Sequence, residues 1–190
     1  MVRAEDAYFD KLTHRELWKR YCGFLDLSIE EFMAIQKELL LDQIERVWSS
    51  TLGRKIMGDS KPGSVDEFRH TVPLTTFEDY TPYLSEQRED VLACKPALWC
   101  HSSGRQGQFK WVPHSADFLE RANKACLSIV TLASARQRGE INYGPGFRFL
   151  LVLPPPPYMS GSMIDSLAKR VSFKALPPRD TAGNMPFQRR

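Results

Sequence analysis

Residues 100–110 have the sequence CHSSGRQGQFK, and most of what the chain reveals about fold and function depends on this segment. A short apolar run overlaps its start at residues 97–100 (ALWC) and another overlaps its end at residues 109–112 (FKWV), so we predict two β-strands joined by a turn. Pro113 is expected to end the second strand. Glycines in the turn allow consecutive backbone amides to form a concave nest that favours anions. Because Lys110 adds a positive charge at the far end, the segment predicts an anion-binding turn.

The spacing of the glycines and the lysine decides which kind of anion-binding turn this is. A Walker loop has four residues between its two glycines and a lysine directly after the second. Here two residues separate Gly104 from Gly107, and Lys110 comes three positions later, which excludes a Walker loop. The pattern Ser-Ser-Gly-x-x-Gly-x-x-Lys instead resembles the phosphate-binding loop of the acyl-adenylate-forming superfamily, which includes acyl-CoA synthetases, luciferases and the adenylation domains of peptide synthetases.

A second block, upstream of the turn, makes the resemblance more specific. Residues 68–80 have the sequence FRHTVPLTTFEDY, and Pro82 and Tyr83 follow. This block and the turn occur in the order found in the auxin-responsive acyl acid–amido synthetases of plants and their bacterial relatives. Phenylacetate-CoA ligases share a similar arrangement. The chain resembles the acyl acid–amido synthetase family from about residue 39 to residue 112.

The resemblance implies an activity and a set of site residues. Members of the family use ATP with Mg²⁺ to convert a carboxylic acid into an acyl-adenylate, and then transfer the acyl group to an acceptor. The implied partners are a small carboxylic acid and an amine or thiol. Carried over onto this sequence, the residues that bind the phosphates are Ser102, Ser103, Gly104, Arg105, Gln106, Gly107 and Lys110. The resemblance assigns no catalytic residue and no metal ligand here.

Two positions of the turn depart from the family pattern. Family loops usually carry Ser or Thr where this chain has Arg105 and Gln106. The guanidinium of Arg105 can bind phosphate through a charge-assisted fork, or it can fill the space that ATP needs. A solvated turn that binds nothing is the third interpretation, and all three stay open at this point.

The first part of the chain is predicted to be helical. Thr13 with Glu16, and Ser28 with Glu31, each match the capping box, in which a hydroxyl and a glutamate satisfy each other's backbone amides. After Ser28 the apolar residues recur at intervals of three and four. This periodicity predicts one long amphipathic helix with a broad buried face.

Helix and strand alternate after the turn. A helix is predicted from Ser115 to about Arg138, and residues 147–153 (FRFLLVL) predict a strand buried on both faces of a parallel sheet. The four prolines at residues 154–157 end that strand. Residues 158–163 (YMSGSM) resemble a small-residue turn that helps to line the acyl pocket in the family.

These elements predict an α/β fold, in which an N-terminal helical segment packs on the start of a layered α/β domain of the adenylate-forming type that is incomplete. The predicted boundaries are residues 1–58 for the helical segment and residues 59–168 for the partial α/β subdomain. Residues 169–190 form a basic, proline-containing tail that we expect to be poorly ordered. The resembled enzymes continue well beyond this length, and their adenine, ribose and C-terminal elements are not recognisable here.

We therefore expect the truncated N-terminal part of an acyl-adenylate-forming ligase, inactive as this chain alone. One alternative is a non-catalytic scaffold or interaction module derived from the same fold. Another is an unrelated small α/β domain whose turn matches by chance. A sheet edge left uncovered where later strands would pack predicts self-association.

Bulk composition argues against several other classes. The net charge of +3 is too small to indicate nucleic acid binding, and no basic helix adds to that case. No apolar run has the length of a membrane span or of a leader, so a soluble cytoplasmic protein without a membrane partner is expected. The cysteines lack any paired metal-ligand spacing and are expected to be reduced thiols; they are Cys22, Cys94, Cys100 and Cys126.

Overall fold

A computed structural model of the chain describes residues 3–102 and 109–176. These residues form mixed α/β structure, which confirms the predicted fold class. The helices are α1 (Asp6–Lys11), α2 (His14–Cys22), α3 (Ile29–Trp48), α4 (Thr51–Met57), α5 (Val65–Thr71), α6 (Ala116–Ser134) and α7 (Met159–Ala168). The strands are β1 (Leu98–His101), β2 (Trp111–His114), β3 (Phe147–Leu150) and β4 (Phe173–Leu176). Within these two described ranges, no helix combines the length and the apolarity that crossing a membrane requires.

The chain divides into two compact units, each built from segments that are distant in the sequence. The first consists of Met1–Leu25, Cys100–Ser103 and Ala116–Arg190, and the second of Asp26–Trp99 and Gly104–Ser115. The domain boundaries that the sequence suggests after residues 58 and 168 stay a prediction.

In the first unit, α2, α6 and α7 surround one apolar core. Helix α2 begins, as predicted, at a capping box: Thr13 N donates to Glu16 Oε2 at 2.8 Å, and Glu16 N donates to Thr13 Oγ1 at 3.3 Å. Leu17 of α2, Leu127 of α6 and Leu167 of α7 are among the fully buried members of the core. The local cap therefore sets where α2 starts, and the core sets which of its faces is buried.

The N-terminus holds the segment that leads into β4. Glu5 N donates to the carbonyl oxygen of Arg170 at 2.9 Å, and the carboxylate of Asp6 accepts from N and Oγ of Ser172 at 2.9 and 2.8 Å. The buried carboxylate of Glu5 also accepts a 2.8 Å hydrogen bond from the Tyr21 hydroxyl. Both buried carboxylates thus have the hydrogen-bond partners that burial demands.

Strands β3 and β4 form a parallel pair in which Phe147 lies opposite Phe173. The expectation that β3 is buried on both faces is wrong, because its side chains alternate in burial and Leu150 is 75% exposed. In the described part of the chain this sheet has two strands, and only one of its faces packs on the core. Strand β4 lies in the segment 169–190, where we expected a poorly ordered tail, while residues 177–190 lie outside the described residues.

Helix α6 ends at Ser134, earlier than the predicted end near Arg138. The Glu140 carboxylate accepts from Arg136 N at 2.7 Å. In addition, Asn142 Nδ2 donates to the carbonyl oxygen of Ser134 at 3.0 Å. Side chains that follow the helix therefore satisfy backbone groups that another helical turn would have used.

In the second unit, α3 begins at the predicted capping box: Ser28 N donates to Glu31 Oε2 at 2.8 Å and Glu31 N donates to Ser28 Oγ at 3.1 Å. The predicted broad buried face is wrong, because Ile29 is 74% exposed and Ile44 is the buried residue of the helix. Helices α4 and α5 pack on α3, and Trp48 in its last turn donates to a backbone carbonyl beyond α4 at 3.1 Å. The elements that pack against α3 therefore contact it near its C-terminal end.

Strands β1 and β2 are neighbours in a two-stranded sheet, so the candidate turn does join adjacent strands. Ala97 N donates to the carbonyl oxygen of His114 at 2.9 Å beside this pair. Contrary to the prediction, Pro113 lies inside β2 and does not end it. A strand of a two-stranded sheet has one unpaired edge, where the missing N–H of a proline costs nothing.

Candidate phosphate-binding site

The candidate phosphate-binding turn lies between β1 and β2. Of the predicted site residues, Ser102 and Lys110 belong to the described part of the chain. The others lie outside the described residues, and their role stays a prediction: Ser103, Gly104, Arg105, Gln106 and Gly107. The β1 end of the turn belongs to the first compact unit, and Lys110 belongs to the second.

The start of α7 holds the end of β1 from which the turn departs. His101 N donates to the carbonyl oxygen of Pro157 at 2.7 Å, and His101 and Tyr158 form a parallel β-bridge. Their rings meet edge to face with centroids 6.1 Å apart. These contacts fix the backbone directly before Ser102, which a precise anion site requires.

Residues 158–163, for which we expected a small-residue turn, instead lead into helix α7 and form its first turn, so that expectation is wrong. Gly161 permits the close approach of the proline run, since a Cβ at this position would lie 2.3 Å from the carbonyl oxygen of Pro154. Ser162 and Cys100 are both buried, and Cys100 is fully so. Because burial raises the pKa of the Cys100 thiol, this group is a neutral packing element and a poor nucleophile.

On the other side of the turn, Lys110 lies over an aromatic ring of the upstream block. Its Nζ is 4.9 Å from the centroid of the Phe77 ring, which is within cation–π distance. The neighbouring Glu78 is fully exposed, and its pKa is lowered by hydrogen bonds from its own backbone N–H and from Thr76, and by the charge of Lys110. The upstream block therefore supplies direct neighbours of the loop lysine.

Short-range hydrogen bonds fold the upstream block into a compact turn. Phe77–Tyr80 is a 3-10 helix, and Thr76 N donates to Asp79 Oδ2 at 2.7 Å at its start. The hydroxyls of Thr75 and Tyr80 lie 2.7 Å apart. The sequence identified this block as part of the family resemblance, but it did not identify Phe77 and Glu78 as neighbours of Lys110, because no local pattern reports a contact between distant positions.

Titratable groups near the strands offer little acid–base chemistry. His114 ends β2 and is buried, and burial lowers its pKa, so its imidazole is neutral at pH 7. The four cysteines are free thiols, and Cys94 is exposed. Among residues 3–102 and 109–176, no cluster of three or more His, Cys, Asp or Glu side chains is arranged to hold a metal ion.

The second unit also contains a largely apolar cavity of about 430 Å³ between α4, α5 and the segment that follows α5. Its polar lining includes Ser50, Thr75 and Tyr80. The hydroxyl of Ser50 donates to the Val47 carbonyl at 2.7 Å, and those of Thr75 and Tyr80 bond each other. The cavity therefore offers apolar contact and no free charge, which does not suit a phosphate.

The described ends of the turn carry polar groups. Ser102, in the first unit, carries a hydroxyl directly after an anchored strand end, and Lys110, in the second unit, carries a partly exposed ammonium group. Hydroxyl and ammonium groups are common ligands of phosphate oxygens, with lysine acting as a point charge.

Comparison with protein families tests the resemblance that the sequence shows. A family model described as the GH3 family N-terminal domain matches residues 22–180. Searches against curated proteins and against solved structures gave no match. The matched range includes both the candidate turn and the upstream block, and it confirms at the level of the family the resemblance that these two segments carry. The chain therefore belongs to the GH3 family, the acyl acid–amido synthetases of the adenylate-forming superfamily, and carries the N-terminal domain of that family.

Proposed function

We propose that this chain contributes the triphosphate-binding loop of an ATP-dependent ligase that activates a carboxylic acid by adenylation. The observation that carries the proposal is the position of Lys110, next to a turn between adjacent strands and over the Phe77 ring of the family's upstream block. Membership of the GH3 family makes ATP with Mg²⁺ the expected ligand. When bound, Mg-ATP supplies an electrophilic phosphorus and a pyrophosphate leaving group.

In this proposal the chain's own residues bind and orient the phosphates. The hydroxyls of Ser102 and Ser103, the amides of residues 103–107 and the ammonium of Lys110 hold the β- and γ-phosphates. Such contacts are strongest where charge develops on the leaving phosphates, and removing one typically costs about 10²-fold in rate. Mg²⁺ in this arrangement is held mainly by phosphate oxygens and water.

The proposal extends to substrates and location. The acid is a small carboxylic acid and the acceptor is an amine or a thiol, as the family membership suggests. Within this ligase, the part that we assign to the chain is binding of the triphosphate. A cytoplasmic location, where ATP is abundant, belongs to the same proposal.

Binding of Mg-ATP and of tripolyphosphate to the 190-residue chain tests the proposal. Both ligands should bind, and Lys110→Ala should weaken both by about tenfold or more, because a charged hydrogen bond is lost. Lys124→Ala removes an equal charge from an exposed position on α6 and should leave binding unchanged. Replacing Arg105 and Gln106 with Thr should give binding at least as tight as that of the unchanged chain. No binding by either form would contradict the proposal.

A second candidate function, a non-catalytic interaction module, is favoured by the exposed apolar side chains of α3. Ile29, Met33 and Phe32 are 74%, 55% and 40% exposed on this helix. Such a module would bind a protein partner through α3 and would ignore nucleotide. The triphosphate-binding experiment therefore separates the two functions directly.

A further inference from the structure

A lysine that binds phosphate has to hold a flexible side chain in one place. A lysine side chain has four rotatable bonds and loses considerable conformational entropy when it is held in one place. In this chain Nζ of Lys110 lies 4.9 Å from the centroid of the Phe77 ring, on the face where a cation is attracted by the ring quadrupole. The ring attracts the charge through its quadrupole, so it can hold the ammonium without itself accepting a conventional hydrogen bond.

The Phe77 ring is itself held from behind. It packs against a core of the second unit that contains Leu52, Leu84 and Val91. Its backbone opens the 3-10 turn that the Thr76–Asp79 hydrogen bond closes. A ring fixed by both packing and backbone can define the position of a flexible side chain that rests on it.

From this geometry we propose that Phe77 is a positioning residue that holds Lys110 for the phosphates. The proposal rests on the proposed phosphate-binding function. The carboxylate of Glu78 interacts electrostatically with Lys110 and offsets the positive charge of the ammonium in the absence of ligand. Asp79, the next carboxylate, is occupied by the cap of its own turn.

The proposal predicts how changes at residue 77 affect binding of tripolyphosphate. Phe77→Leu keeps apolar bulk but removes the ring face, and should weaken binding about two- to fivefold. Phe77→Tyr keeps the face and should restore nearly unchanged affinity. In a double-mutant cycle, Phe77→Leu should have no further effect once Lys110 is replaced by Ala, because the ring acts only through that ammonium. Equal effects of Phe77→Leu with and without Lys110 would overturn the positioning role while leaving phosphate binding intact.

A second readout does not depend on phosphate binding. After reductive methylation with ¹³C-formaldehyde, the methyl signal of Lys110, assigned through Lys110→Arg, should be shifted upfield by the Phe77 ring current. The signal should move to the position of exposed lysines in Phe77→Leu and stay shifted in Phe77→Tyr. A wild-type signal already at the exposed position would overturn the proposal. A shifted signal in a chain that binds neither tripolyphosphate nor Mg-ATP would contradict the proposed function and still support the hold of Phe77 on Lys110.

Discussion

Replacing Gly161 with alanine sets two known effects against each other. Alanine in place of glycine inside a helix normally stabilises by about 1 kcal/mol. Here the new Cβ would lie 2.3 Å from the carbonyl oxygen of Pro154, whereas real Cβ contacts are essentially never under 3.0 Å. The backbone would have to move by at least 0.7 Å, the difference between these two distances. Because the obstacle is the backbone of a proline run, it yields poorly.

The steric cost should therefore exceed the gain in helix propensity. Overpacking costs about 1–3 kcal/mol, and the upper part of that range, about 2–3 kcal/mol, applies here because a backbone obstacle must move; less the gain of about 1 kcal/mol, the net destabilisation should be about 1–2 kcal/mol. Amide hydrogen exchange measures the local stability of α7, and a loss of about 1–2 kcal/mol corresponds to exchange about 5- to 30-fold faster in Gly161→Ala. A local measurement is preferable because a chain with two compact units need not unfold in one step.

Gly144→Ala is the matched control, because a Cβ at residue 144 would meet nothing within 4 Å. It should be neutral or stabilising by about 0.4–1 kcal/mol, through the unfolded chain. If Gly161→Ala slowed exchange in α7, or left it unchanged, the close approach of α7 to the proline run would be refuted. The anchoring of β1 through the start of α7 would then lose its basis.

Three further predictions concern other parts of the chain. Burial lowers the pKa of His114, so the folded state binds a proton at this imidazole less readily than the unfolded state does. The free energy of unfolding should therefore fall as the pH drops below the ordinary His pKa of 6.5, and urea titrations of His114→Gln should show a smaller fall over the same pH range. Iodoacetamide should modify the exposed Cys94 well before the buried Cys100, whose thiol pKa is raised, and mass spectrometry showing equal rates would contradict the packing of β1. Self-association through an uncovered edge of the β3–β4 sheet should appear in sedimentation as a mass that rises with concentration, and a charge introduced by Leu150→Lys should abolish it; a wild-type monomer at high concentration would argue against this interface.

Local chemistry made part of the fold predictable. The capping boxes at Thr13 and Ser28 involve residues three positions apart, so the starts of α2 and α3 could be read directly. What covers α3 depends on neighbours that periodicity does not report, which is why the exposure of Ile29 was not foreseen. Apolar content likewise predicted that β3 is a strand, but it did not show which face of the strand is exposed.

Long-range pairing was the main source of error. Strand β4 follows a region of weak periodicity, and its existence depends on parallel pairing with β3 and on the hydrogen bonds of Asp6 to Ser172. None of these partners is close in sequence, so no local rule could predict the strand. Pro113 was expected to end β2 but lies inside it, because a proline is compatible with a strand that has an unpaired edge.

The candidate site was predicted in the same uneven way. Spacing identified Lys110 and the serine-rich turn, and the upstream block was recognised as a segment of the same family. The contact of Lys110 with the Phe77 ring follows from the packing of the second unit, which only the folded chain shows. The structure thus shows that the two segments are in contact, through Lys110 and Phe77.

Amide hydrogen exchange of the peptide that spans residues 97–112, with and without Mg-ATP, tests the central claim most directly. Phosphate binding by the turn predicts slower exchange at residues 102–110 when Mg-ATP is added, and loss of this effect in Lys110→Ala. A chain that shows slow exchange in β3, and is therefore folded, but whose turn exchanges at the same rate at saturating Mg-ATP would contradict the claim.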